Sequence, residues 1–75
     1  MSQIESIIQK EISRGREIYT TLSPTKRVKL LEIYPVHGIY EVIVEIVESE
    51  YSSEGVGSRI TMSGEDVFRI LGLNY

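Results

Sequence analysis

The 75-residue chain has no cysteine, one histidine and one aspartate, and each of these shortages excludes a class of chemistry. Without cysteine there is no disulfide framework, no thiolate nucleophile and no cysteine-based zinc or iron–sulfur site. The single imidazole, His37, falls in a segment typical of a tight turn, where a catalytic base would be exposed to water. It also has no second histidine or cysteine at a metal-ligand spacing. We therefore predict a protein that is not an enzyme and that holds no metal and no cofactor.

Long apolar runs are also absent. No stretch approaches the roughly 20 consecutive apolar residues of a membrane span, and the N-terminus carries Glu5 rather than the basic region of a signal peptide. We expect no membrane partner and a cytoplasmic location. The length indicates a single domain over residues 1–75. Because a domain of this size buries only about 60% of its unfolded surface, self-association is an expected supplement to its small core.

Two helices are predicted, one at each end of the chain. Ser2 and Glu5 have the spacing of a capping box, and Gly15 suits a C-terminal cap, so the first helix should end near residue 13 or 14. Isoleucines recur on one stripe of this helix at spacings of three and four: Ile4, Ile7, Ile8 and Ile12. The second helix should begin after Ser63 as N-cap and end at Gly72.

Between the helices the sequence alternates as strands do. Residues 26–34 and 39–48 are the two clearest strands, and the segment 35–38 has the chemistry of a tight hairpin. Shorter strands are expected at residues 16–22 and 58–62. For the first of these the alternative is one long helix reaching Leu22, but its run of β-branched and aromatic residues favours a strand. The predicted fold is α+β, a small antiparallel β-sheet of three to four strands flanked by an N-terminal and a C-terminal helix, in the order α-β-β-β-β-α.

The charges of the two long strands favour one register of the hairpin. This register pairs Tyr34 with Tyr40. It also opposes Lys29 to Glu45, an attractive pair, whereas a shift by one residue would oppose two glutamates. We therefore expect the first register.

One face of the predicted hairpin is too apolar to be left fully in water. Four apolar side chains interrupt its charges: Leu31, Ile33, Ile43 and Val47. The two helices could cover opposite faces of the sheet, or this face could be a homodimer interface; a ligand groove is a third and weaker reading. We favour a small non-enzymatic protein-interaction or regulatory module that self-associates through this face, with a second copy or another protein as partner.

The positive charges are concentrated in one segment. Residues 10–29 hold six cations and two acids, a net charge of +4, whereas the rest of the chain holds two cations and nine acids. The alternative function is therefore a nucleic-acid-binding accessory domain that uses Arg14, Arg16, Lys26, Arg27 and Lys29. The acidic pI of about 5.1 argues against it and favours pairing of these cations with neighbouring acids.

Two glutamates interrupt apolar patterns. Glu11 falls within the isoleucine stripe of the first helix, and Glu32 lies among the apolar residues of the first long strand. An unpaired carboxylate is costly to bury, so we expect both residues to sit at the edge of the core and to reach solvent or a cation, with Arg59 and Arg69 as candidate partners. If both glutamates were buried side by side they could share a proton, which would indicate a functional site.

Overall fold

The computed structural model describes residues 3–20, 25–50 and 55–72. The elements follow in the order α1 (Gln3–Ser13), β1 (Glu17–Tyr19), β2 (Lys26–Val36), β3 (Ile39–Ser49), β4 (Arg59–Ser63) and α2 (Gly64–Gly72). The strands form one antiparallel sheet in the sequential order β1-β2-β3-β4. The predicted α+β class and the order α-β-β-β-β-α are confirmed.

Helix α1 ends in a glycine cap. Gly15 has a φ of +69°, a backbone conformation that favours glycine. Its amide donates to the Ile12 carbonyl at 3.0 Å, and the Arg16 amide donates to the Glu11 carbonyl at 3.0 Å. This pair of bonds is the Schellman motif, which closes the helix and lets β1 begin at Glu17. The chain therefore does not continue as one helix after Gly15. The predicted cap Ser2 and the end of the predicted strand, residues 21–22, lie outside the described residues.

A two-residue turn joins β2 to β3. His37 and Gly38 both have positive φ, +48° and +85°, which is the type I′ geometry that matches the twist of the flanking strands. Val36 and Ile39 form the pair that closes the turn, so Pro35 and Tyr40 form the next pair, a position at which antiparallel strands exchange no hydrogen bonds. The missing N–H of Pro35 therefore removes no bond between β2 and β3. The predicted hairpin is confirmed.

Two β-bulges change the register along this hairpin. Near the turn Tyr34 lies opposite Glu41, so the predicted pairing of Tyr34 with Tyr40 is wrong. Leu31 is an extra residue in β2, and beyond it Lys29 lies opposite Glu45 as predicted. A second extra residue, Val47 in β3, shifts the register back at the far end. Because the two bulges lie on opposite strands, their shifts cancel.

The first bulge moves one predicted residue to the other side of the sheet. After Leu31, Ile33 lies opposite the buried Val42 and packs against the core. Its predicted place on the apolar second face is therefore wrong, because strict alternation from residue 26 does not allow for an inserted residue. Tyr34 moves in the opposite direction, onto the face that carries Glu41.

Both helices pack on the same side of the sheet. They contact each other, and α1 lies against β2 while α2 lies against β3 and β4. A single buried cluster joins them to the sheet, and its members are Ile8, Ile18, Val28, Leu30, Val42, Val44, Ile46, Val67, Ile70 and Leu71. The reading in which the helices cover opposite faces is therefore wrong.

The start of α2 is held closely against β3. The Ser63 hydroxyl accepts a hydrogen bond from the Glu65 amide at 3.2 Å, which confirms Ser63 as the N-cap. Gly64 is buried, and a Cβ at this position would lie 2.8 Å from the Cβ of Tyr40. The close approach of helix and strand at this point therefore requires glycine.

Candidate interaction face of the sheet

The side of the sheet opposite the helices is the candidate site, and we call it the open face. Its central side chains are Lys29, Leu31, Ile43, Glu45, Val47 and Arg59. The flanking residues 28, 30, 44, 46 and 60 point toward the helices, so these side chains point away from them. No helix of the described ranges covers this face.

Three of the predicted interface residues lie on the open face. Leu31, Ile43 and Val47 are each half-buried, whereas Ile33 lies on the helix side. Leu31 and Ile43 line a shallow depression together with Glu32, Arg59 and the edge strand β4. The bulge at Leu31 places two successive residues of β2, an apolar one and an acidic one, on the same side of the sheet.

A row of alternating charge crosses the open face from one edge to the other. Glu17 of β1 lies opposite Lys29 of β2, Lys29 lies opposite Glu45 of β3, and Glu45 lies opposite Arg59 of β4. The signs along the row are therefore −, +, −, +. Within the described ranges Lys29, Glu45 and Arg59 form no ion pair within 4.0 Å, so three of the four charges keep their polar groups available.

Nearer the hairpin turn, a tyrosine and a glutamate form a hydrogen bond on the same face. The Tyr34 hydroxyl donates to Oε2 of Glu41 at 3.2 Å. This hydrogen bond, followed by desolvation and the negative charge of Glu41, raises the pKa of Tyr34 above its ordinary value of 10.0. Sequence reasoning missed this pair because the bulge at Leu31 creates it.

Glu11 and Glu32 lie apart and do not form a shared site. Glu11 is fully buried on the helix side, where its Oε1 accepts from Nη1 of Arg16 at 2.9 Å and its Oε2 accepts from Nη1 of Arg14 at 3.3 Å. Glu32 is exposed on the other side of the sheet. The expected position at the edge of the core is therefore wrong for Glu11, and its cations are not the candidates Arg59 and Arg69, because the Gly15 cap turns the chain so that Arg14 and Arg16 lie next to it.

Three of the five predicted nucleic-acid residues form ion pairs with acids. Arg14 and Arg16 bind Glu11, and Nε of Arg27 lies 3.2 Å from Oε1 of Glu17. Lys29 lies between Glu17 and Glu45 in the charged row. Next to Lys26, a carboxylate oxygen of Glu50 accepts a hydrogen bond from the Thr25 amide at 2.9 Å. These acids reduce the positive potential that residues 10–29 could present to a phosphate backbone.

The remaining features to place are the single histidine, the possible metal ligands and the helices. His37 is exposed in the hairpin turn, as expected for a turn residue. Over residues 3–20, 25–50 and 55–72, no three His, Cys, Asp or Glu side chains come together in a way that could hold a metal ion. No helix within those ranges is long and apolar enough to cross a membrane.

Comparison with known proteins gives no family assignment: no model of a protein family, no curated protein and no solved structure matches the chain.

Proposed function

We propose that this protein is a small, non-enzymatic interaction module that associates with a second copy of itself through the open face. The observation that supports this proposal is the one-sided packing of α1 and α2. Both helices lie over the same side of the sheet, and Leu31, Ile43 and Val47 remain half-buried on the other side. An antiparallel sheet can leave one face in water when that face is polar, but this one is mixed.

The size of the face sets the expected strength of association. The four strands contain three, eleven, eleven and five residues. At about 3.4 Å per residue and about 4.8 Å between strands, they span roughly 490 Å² per protomer, or about 1,000 Å² for two facing sheets. Specific interfaces begin at about this size, so we expect a dimer that dissociates on dilution through the micromolar range.

The experiment is a measurement of mass against concentration by sedimentation or light scattering. We expect the mass to rise from 8.6 kDa toward twice that value as the protein is concentrated from about 5 μM to about 500 μM. A constant 8.6 kDa over this range would refute self-association.

A matched pair of variants identifies the face. Ile43→Lys puts a charge at the centre of the open face, so it should weaken the dimer at least about tenfold. Val56→Lys introduces the same side chain at an apolar residue that is 46% exposed in the turn before β4, outside the four strands, and it should leave the dimer intact. Equal effects of the two variants would show that the dimer uses another surface. Far-UV circular dichroism checks that both variants fold.

The nucleic-acid alternative rests on fewer available charges. Arg14, Arg16 and Arg27 lie in ion pairs, so releasing them for phosphate contacts would require breaking those pairs. The discriminating measurement is binding to labelled single-stranded and duplex nucleic acid at about 50 mM salt. Binding that weakens steeply with added salt and is lost in the Lys26→Ala, Arg27→Ala double variant would favour this function over self-association.

A further inference from the structure

We infer that two copies of the chain pack with their open faces together about a two-fold axis that runs parallel to the strands and lies between β2 and β3. This inference rests on the proposed self-association and specifies its geometry. It comes from the alternating row of Glu17, Lys29, Glu45 and Arg59, in which each residue is the cross-strand neighbour of the next.

The axis follows from the order of the charges. A two-fold axis parallel to the strands and between β2 and β3 places β2 of one copy over β3 of the other, and β1 over β4. Lys29 then faces Glu45 of the second copy, and Glu17 faces Arg59 of the second copy. Each charge in the row meets its opposite.

The perpendicular axis gives the reverse result. A two-fold axis that runs along the row itself places each strand over its own copy, so Lys29 would face Lys29 and Glu45 would face Glu45. Like charges in direct opposition across an interface are strongly unfavourable. The sequence of signs therefore selects the axis parallel to the strands.

The apolar side chains agree with the same axis. Leu31 is on β2 and Ile43 is on β3, and they line the same depression one position nearer the hairpin turn than the charged row. Glu32 is the register partner of Ile43, and Leu31 is the bulged residue beside it. Placing β2 over β3 therefore brings Leu31 and Glu32 of one copy over Ile43 of the other, so that Leu31 and Ile43 can bury apolar surface against each other. In this arrangement the strand axes of one sheet lie nearly parallel to those of the other, which is the aligned mode of sheet packing.

The inner pair of the row gives the sharpest test. Aligned sheets cross at about 30°, and this rotation displaces the outer strands more than the two beside the axis. Of the four residues in the row, Lys29 and Glu45 are therefore the ones whose positions across the axis the crossing angle displaces least. Neither has an ion pair within 4.0 Å in the described part of its own chain, so reversing its charge breaks no such pair there.

Two single charge reversals form the experiment, with dimerisation measured by sedimentation. In Lys29→Glu the new carboxylate faces Glu45 of the second copy, and in Glu45→Lys the new ammonium faces Lys29 of the second copy. The two-fold axis places two copies of this contact in each dimer, so each substitution introduces two repulsive pairs. We therefore expect either variant alone to dimerise at least about tenfold more weakly than the wild-type protein. An equimolar mixture of the two should restore dimerisation, because position 29 of one variant then meets position 45 of the other with opposite charge.

The mixture separates contacts between copies from effects within one copy. Each substitution also alters the charges beside it on its own sheet, but mixing leaves that environment unchanged, so only a contact between copies can be rescued. The Lys29→Glu, Glu45→Lys double variant should dimerise by itself, and added salt should reduce the differences among all these proteins. Circular dichroism confirms that each variant is folded.

The outcomes distinguish the two proposals. Rescue in the mixture and in the double variant supports the two-fold axis. A dimeric unchanged protein whose two single variants are not rescued by mixing overturns the axis and leaves self-association standing. A protein that remains monomeric at the highest concentration overturns both.

Discussion

Replacing Arg16 by alanine tests how the buried carboxylate of Glu11 is tolerated in the core. The Glu11 side chain is 0% exposed and accepts one hydrogen bond on each oxygen, from Arg16 at 2.9 Å and from Arg14 at 3.3 Å. The two arginines differ in environment: the Arg16 side chain is 35% exposed and the Arg14 side chain is 59% exposed. The shorter and less hydrated contact should therefore contribute more stability.

The expected loss follows from what remains after the substitution. Arg16→Ala keeps the backbone bond from residue 16 to the Glu11 carbonyl, but it leaves Oε1 of the buried carboxylate without its arginine donor. An unsatisfied buried acceptor costs about 1–3 kcal/mol, and for a domain of this length about 2 kcal/mol corresponds to a drop in Tm of roughly 8–16 °C. Arg14→Ala should cost less than about 1 kcal/mol, because water can replace an exposed partner.

Urea unfolding followed by far-UV circular dichroism measures both values, and the chain has no tryptophan to report by fluorescence. All proteins should be compared at one concentration, because self-association would make stability depend on concentration. The Glu11→Gln variant and its combination with Arg16→Ala complete a double-mutant cycle, which isolates the interaction of the two side chains. Losses below about 0.5 kcal/mol for both arginine variants, with no coupling in the cycle, would refute the role of Arg16 as the main partner of Glu11.

Two further predictions concern the packing of α2 and the titration of the open face. Gly64→Ala places a methyl group 2.8 Å from the Cβ of Tyr40 and should lower the free energy of unfolding, measured in urea, by about 1–3 kcal/mol. Gly72→Ala is the control and should be neutral, because a Cβ there has nothing within 4 Å. Equal effects of the two variants would contradict the close-contact argument. The pKa of Tyr34, obtained as the difference between the ultraviolet absorbance titrations of the unchanged protein and Tyr34→Phe, should lie above 10.0 and fall in Glu41→Gln. Because of this raised pKa, Tyr34 stays protonated to a higher pH in the folded state than in the unfolded state. Its contribution to stability is therefore present below pH 10.0 and is lost as the pH rises through the folded-state pKa. An unshifted pKa would contradict the hydrogen bond.

Local signals in the sequence predicted the secondary structure because each depends on a few neighbouring residues. The isoleucine spacing and Gly15 located α1 and its end, the segment containing His37 and Gly38 located the hairpin turn, and Ser63 located the start of α2. The preference of a β-branched run for an extended backbone also identified β1 correctly. Cap and turn geometries are short-range, so they can be read before any tertiary contact is known.

The candidate site was predicted only in part, because register depends on contacts between distant residues. Leu31, Ile43 and Val47 lie on the face expected of them, but the bulge at Leu31 moves Ile33 to the helix side. The bulge shifts the phase of the apolar alternation by one residue, from Val28 and Leu30 to Ile33, but two successive leucines stand at the shift, so the pattern alone does not locate it. The charged row likewise requires the registers of the short edge strands, which only the assembled sheet supplies.

The sequence by itself determined the α+β class, the order of its elements and the places where helices and turns begin and end, because backbone propensities and caps act over a few residues. Only the tertiary structure decided which side of the sheet the two helices share, which cations reach Glu11, and which charges align across the open face. Those features depend on packing and register between segments far apart in the chain, where an inserted residue in one strand reverses the direction of the side chains that follow it.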